Sequence, residues 1–448
     1  MLHRELAASR RACWVLLAVI AVAAVFCSPA NGQLVNQAVG GVSIDTKGIL
    51  STARPDLMGE LGKVRVGEMQ QVPEALNAAV PMRKVSLRRL AATLDDCARN
   101  KKPIPDSAKY LAGLQRIRYV FVYPEQKDIV LVGPGEGWTV DPNGNVVGAT
   151  NGRPVMLLDD LLVALRTAKA AAQGGITCSI NPTPEGLARY SQLPPDRSND
   201  PRHVASRIEE ALGMQQISVT GVPDSSHFAR VLVAADYQMK RIGMNLDRSP
   251  IRELPSYLQM LPAATRAASS PRFWLEPRYD ALLRDADGLA YEFRGLGVKA
   301  LTEEDWQAAN GNRQRGAKPG RIAQRWADLM TANYQQLAAA RPIFGELQNC
   351  MDLAVVSALI VKERLPEKAG DSLNGLLDAT VKVETFNAPK QVKSIASVLD
   401  KGRHPVIGVS GGVAINSWII ADQVKTSDTV APVRAKAAPA QNANWWWN

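Results

Sequence analysis

The segment 351–361 is apolar on almost every side of a helix: Met351, Leu353, Ala354, Val355, Val356, Ala358, Leu359, Ile360 and Val361 leave little polar surface between them. A helix without a polar face must be buried on several sides, so the rest of the chain has to cover it from more than one direction. The residues before it are helical in pattern too. Trp326, Leu329, Met330, Tyr334 and Leu337 make one apolar stripe, and Pro342 opens the second run. Spacing of this kind predicts a helical segment near 321–364.

Strand patterns elsewhere set the fold class. Ser86 precedes Leu87, Leu90, Ala91 and Leu94 at helical spacing, which predicts a capped helix over 87–98 with its arginines outward. Ile117, Tyr119, Phe121 and Tyr123 then alternate with Arg118, Val120 and Val122, a period of two that predicts a strand. The turn at 124–128 leads into Ile129-Val130-Leu131-Val132, so the pair reads as a hairpin. A second turn at Asp141-Pro142-Asn143-Gly144 leads to Val146-Val147, and a helix over 157–172 ends at Gly174-Gly175.

Beyond the proline-rich stretch 194–201, a helix over 203–212 leads to a strand over 216–222. Asp224 or Ser225 is expected to cap the next helix, whose apolar positions are Phe228, Val231, Leu232, Ala235 and Met239 and which ends near Gly243. Strands are expected at 273–275 and 289–293, another around Val381, Val383 and Thr385, and a closing hairpin joining 406–409 to 413–415 around Ser410-Gly411. The expected class is therefore α+β and multidomain, small sheets with covering helices. Its divisions are a signal peptide at 1–32, an N-terminal extension at 33–80, an α+β domain at 81–193, a linker at 194–201, an α/β domain at 202–309, a mainly helical domain with a closing hairpin at 310–424, and a disordered tail at 425–448.

The amino terminus carries Arg10-Arg11 and then an uncharged, mostly apolar run over 12–27. It is shorter than the ~20 residues of a membrane helix, and Ser28-Pro29 closes it, so it reads as a secretory signal with cleavage after Gly32. Removing it takes three arginines and one glutamate, lowering the formal charge from +10 to +8. Cys97, Cys178 and Cys350 remain, an odd and sparse set that allows at most one disulfide and fits no zinc spacing. Neither a metal nor a cofactor is expected. The expected place of work is the periplasm, the cell envelope or the medium.

Candidate chemistry is thin. Gly408-Val409-Ser410-Gly411-Gly412 fits G-x-S-x-G, yet no histidine follows Ser410 and the next residues read as strand, so a glycine-rich turn explains it better than a nucleophile elbow. His227 stands beside Asp224 and Ser225, where capping of a helix start explains the crowding. A serine hydrolase using Ser410 with His227 and Asp224 is the alternative these residues allow. The Asp285-Ala286-Asp287-Gly288 and Asp141–Asn145 runs lack the sixth-position glycine and the twelfth-position glutamate of a calcium loop and read as hairpin turns. Basic residues gather at Arg83, Lys84, Arg88 and Arg89 and again at Arg313, Arg315, Lys318, Arg321 and Arg325. Solvated helix faces account for such clusters, and an anionic polymer is the partner they would attract. No nucleic-acid partner is expected. Trp445-Trp446-Trp447 is a docking candidate, because indoles combine apolar area with a polar N–H.

Two stretches, 222–244 from Val222-Pro223-Asp224-Ser225-Ser226-His227-Phe228 onward and 341–360 from Arg341-Pro342-Ile343-Phe344-Gly345 onward, resemble an exported family of planctomycete bacteria catalogued only as a domain of unknown function. The resemblance spans roughly 202–364, implies export, and brings no activity or catalytic residue with it. The function expected is a non-enzymatic envelope or extracellular binding or scaffold protein.

Overall fold

The computed structural model describes residues 38–39, 41–53, 63, 66–67, 69–142, 144–194, 200–262, 271–303, 305–307, 313–315, 320–378, 381–397 and 410–438. Strands β1 (Ala38–Val39), β2 (Val42–Ile44) and β3 (Ile49–Thr52) form a short antiparallel meander. Strand β4 (Val80–Ser86) runs directly into α1 (Leu87–Arg99). Ser86 is the cap, its Oγ accepting from the Arg89 N–H at 3.1 Å and so satisfying one orphan donor of the first turn. Next come the hairpin of β5 (Tyr119–Tyr123) and β6 (Asp128–Gly135), and the smaller one of β7 (Trp138–Val140) and β8 (Val146–Gly148). Helix α2 (Leu158–Thr167), strand β9 (Ile176–Pro182), helix α3 (Pro201–Leu212), strand β10 (Met214–Thr220) and helix α4 (His227–Gly243) follow. The second half holds β11 (Arg272–Arg278), β12 (Leu282–Arg284), β13 (Ala290–Glu292), β14 (Gly297–Glu303), β15 (Asp305–Gln307), β16 (Arg313–Arg315), α5 (Arg321–Ala332), α6 (Pro342–Lys362), β17 (Gln391–Lys393), β18 (Ser410–Ile415), β19 (Val424–Thr426) and α7 (Val430–Ala437).

Two mixed sheets organise these elements. The larger has the order β1-β2-β3-β17-β10-β9-β18-β11-β14, the smaller β19-β12-β13-β5-β6-β4. Helix α6 is buried from Ile343 to Ile360 almost without a break, with α2, α4 and the helices Tyr334–Ala340 and Ser417–Asp422 packed around it. Although it is long and apolar enough to cross a membrane by composition alone, it is the core helix that its lack of a polar face demanded. One connected cluster of buried side chains runs from Val42 to Ala421. The α+β class holds. Within the proline-rich stretch 194–201, Asp200 caps α3, whose first residue is Pro201.

Four expectations change. The tail is not disordered from Lys425: β19 pairs with β12 and α7 covers the smaller sheet. The reason lies in β5 and β6, where Val120, Val122, Ile129 and Leu131 face the main core while Phe121, Tyr123, Val130 and Val132 are buried on the other side with Val430 and Ala437. A sheet apolar on both faces needs two covers, and α7 is the second, pinned by Tyr123 Oη donating to the Arg434 carbonyl and Arg434 Nε donating to the Val122 carbonyl, both at 2.9 Å. The segment around Val381–Thr385 is no strand: Arg166 takes the Val381 carbonyl and the Asp159 carboxylate takes the Glu384 N–H. Ser410-Gly411 is not a turn either; it begins β18, antiparallel to β9 and parallel to β11. The other arm expected for that hairpin, 406–409, lies outside the described residues. Finally, Ser226 caps α4 rather than Asp224 or Ser225.

Candidate functional site

Three helix N-termini meet at one place. Asp159 and Asp160 lie in the first turn of α2, His227 is the first residue of α4, and Glu346 and Asn349 sit near the start of α6. Around them a cleft of about 540 Å³ is walled by Ile104, Tyr110, Val140, Val146, Val155, Leu157, Val383 and Phe386, with Asp106, Lys109, Asn145, Lys382 and Glu384 completing its polar lining. Carboxylates suit helix N-termini, where unpaired N–H groups and the macrodipole favour negative charge, and the apolar run Leu161, Leu162, Val163, Ala164 and Leu165 that follows holds α2 in the core.

At the floor, His227 Nδ1 faces both oxygens of Asp160, at 3.1 and 3.0 Å. Side-chain exposure is 12% for the imidazole and 6% for the carboxylate. Burial alone would lower the His227 pKa, but the Asp160 charge and hydrogen bond, with Glu346 and Asp159 behind them, outweigh it and carry it from 6.5 up to about 9. The histidine is therefore an imidazolium at neutral pH. Its Nε2 has no hydrogen-bond partner among the described residues. Burial, reinforced by the Asp160 charge, pushes Asp159 up from 3.8 to about 6. Beside the cleft, Arg230 stacks on the Phe386 ring at 4.6 Å, and burial lowers its pKa to about 10.

The residues singled out from sequence separate. His227 is in the cleft, but Asp224 is exposed and the histidine's acid is Asp160, 67 residues away. Ser410 is at the start of β18, its N–H bonded to the Pro271 carbonyl at 3.1 Å, and it does not line the cleft. The glycines after it serve packing. A Cβ on Gly411, whose φ is +130°, would meet the Phe273 carbonyl at 1.7 Å, and one on Gly412 would meet the Cys178 carbonyl at 2.0 Å. No serine, threonine or cysteine is among the residues lining the cleft.

Arg88 is exposed on α1 and donates to the Gln126 carbonyl, and Arg89 is partly buried beside it. Arg83 is not on a solvated face: it is 1% exposed and donates to the Leu76 and Ala78 carbonyls. Arg313 and Arg315 lie on β16, and Arg321 is exposed at the start of α5. Lys318, Trp445, Trp446, Trp447 and the segment 1–32, expected to be a signal peptide, lie outside the described residues. Cys97, Cys178 and Cys350 are all free and buried. Asp285–Gly288 is a hairpin turn, Asp285 Oδ1 accepting from the Leu289 and Ala290 N–H groups, and between β7 and β8 the Gly144 N–H donates to the Asp141 carbonyl at 2.9 Å. Among the described residues no group of three or more His, Cys, Asp or Glu side chains is placed to hold a metal ion.

What sequence reasoning missed is Asp159-Asp160. The signal was present: two acids interrupt the apolar run 157–165, and an acid on a buried helix has to find a partner.

Residues 178–257 match a family described as a protein of unknown function (DUF1598). That segment runs from β9 through α4 and supplies His227, whereas Asp159, Asp160 and Glu346 come from outside it. No curated protein matches the chain. No solved structure matches it either.

Proposed function

We propose that this is an exported, non-enzymatic binding protein and that the cleft at the meeting of α2, α4 and α6 holds its small-molecule ligand. The observation carrying this reading is the Asp160–His227 pair, buried at the floor of a cleft whose volume of about 540 Å³ suits a drug-sized molecule. An imidazolium held by one ring nitrogen keeps the other as a donor for something that enters. Export rests on the charged start, apolar run and small-residue cleavage site of 1–32.

Native mass spectrometry of protein isolated from its source without refolding tests the reading. A bound small molecule should accompany the wild type and be absent from His227→Ala, with the near-ultraviolet circular dichroism of the variant unchanged. A chain that carries nothing, or the same ligand in both proteins, would refute it.

A second reading has one observation in its favour. Asp159 raised to about 6 next to an imidazolium raised to about 9 is the kind of split that separates a general base from a general acid. Turnover of a captured ligand that is lost in Asp159→Asn would favour acid–base catalysis over simple binding.

A further inference from the structure

We infer that the cleft takes a neutral amide on an apolar body, its carbonyl accepting from His227 Nε2 and its N–H donating to the Asp159 carboxylate. This rests on the reading of the cleft as a ligand site and names the class of ligand. One donor and one acceptor carry it. The Asp160 side chain is 6% exposed, and among the described residues its carboxylate bonds only to His227 Nδ1. A buried carboxylate needs a cation beside it, so the imidazole holds both protons and its Nε2–H is a donor with no partner among the described residues. The neighbouring acid, Asp159, uses Oδ2 on the Glu384 N–H at 3.3 Å, and its Oδ1 has no hydrogen-bond partner among the described residues. Both residues line the cleft with Val140, Val155 and Phe386, and the Phe386 ring centroid is 6.2 Å from that of the imidazole. Those side chains give the ligand's body an apolar wall.

A charged ligand group fits this pair less well. An ammonium has no lone pair for the Nε2–H and would stand against the imidazolium. A carboxylate could accept from Nε2, but it would add a negative charge beside Asp159, which burial and the Asp160 charge already lift to about 6. The lysines on the lining do not offset that charge at the floor. Lys109 is bonded to Asp106 at 2.9 Å, and Lys382 is exposed to water, which screens it. An amide brings a carbonyl oxygen to accept and an N–H to donate. It carries no charge out of water, so pairing both groups is enough to offset its desolvation.

The test uses isothermal titration calorimetry at pH 7.5 with three probes on one skeleton: 3-phenylpropanamide, 3-phenylpropanoate and 3-phenylpropylamine. The amide should bind at least about tenfold tighter than either charged analogue, a difference of ~1.4 kcal/mol. Asp160→Leu with His227→Phe removes both members of the pair together and strands neither charge. That double variant should lose the preference while its near-ultraviolet circular dichroism stays native. On the wild type, the carbon-13 resonance of carbonyl-labelled amide should move downfield on binding, as it does when a carbonyl accepts a stronger hydrogen bond. Tighter binding of the anion or the amine would overturn the amide inference and leave the cleft as a ligand site. If no probe binds, if the carbonyl resonance does not move, or if the double variant keeps the preference, the inference fails; the co-purified ligand then decides separately whether the cleft is a site.

Discussion

Two of the buried aspartate–cation pairs among the described residues, one on α6 and one beside it, are built differently. Asp352 on α6 takes Arg116 Nε at 2.6 Å, Arg116 Nη2 at 3.0 Å, the Ile117 N–H at 3.0 Å and the Tyr279 hydroxyl. Side-chain exposure there is 1% for the acid and 5% for the guanidinium. These bonds tie α6 to residues 116–117, just before β5, and to Tyr279, just after β11, across as many as 236 residues of sequence. In the cleft, the Asp160–His227 hydrogen bonds use one imidazole nitrogen alone, and the pair lines a cavity. The closed pair fixes the packing of the core; the open one leaves an imidazole nitrogen without a hydrogen-bond partner among the described residues.

Breaking the closed pair should have the largest effect. Asp352→Ala leaves Arg116 charged and unmatched in the core, and urea unfolding should show a loss of about 3–5 kcal/mol. A loss below about 1 kcal/mol would place the two pairs in one class.

The open pair should show itself through pH. The His227 pKa is raised in the fold, from 6.5 to about 9, so its contribution is fully present below pH 6.5 and is lost as pH rises through about 9. From the size of that shift the wild type should lose about 2–3 kcal/mol over this window, and Asp160→Asn should flatten the profile. Asp159 works in the other direction. A raised carboxyl pKa means that ionisation between pH 3.8 and about 6 costs the folded state stability. Asp159→Asn should therefore stabilise the protein at pH 7 by about 1–2 kcal/mol while weakening ligand binding, the trade expected when a site is destabilised for function. The smallest effect is at Ser226, whose Oγ accepts from the Ala229 N–H at 3.1 Å at the start of α4. Ser226→Ala should cost about 1 kcal/mol in thermal or urea unfolding.

Local features were legible in the sequence. The Ser86 cap, a helix over 87–98, the β5–β6 hairpin and the burial of α6 all follow from spacing and residue type, and each is in place, the helix ending one residue later at Arg99. Non-local pairings were not. Nothing near Ser410 announces that β18 will lie between β9 and β11, and Gly411 and Gly412 read as a turn because the carbonyls of Phe273 and Cys178 that exclude a Cβ are distant in sequence. Tail residues 430–437 look apolar-poor until the second face of β5 and β6 is seen to need a cover. The same holds for the site. His227 stood out, yet its proximity to Asp224 in sequence suggested the wrong acid, and Asp160 becomes its partner only through the packing of α2 against α4.

The most direct test of the central claim is a crystal structure of the protein purified from its source without refolding. The account predicts electron density for a small molecule in the cleft, within hydrogen-bond reach of His227 Nε2 and the Asp159 carboxyl group. Ordered water alone in the cleft, with a ligand bound elsewhere on the chain, would contradict it.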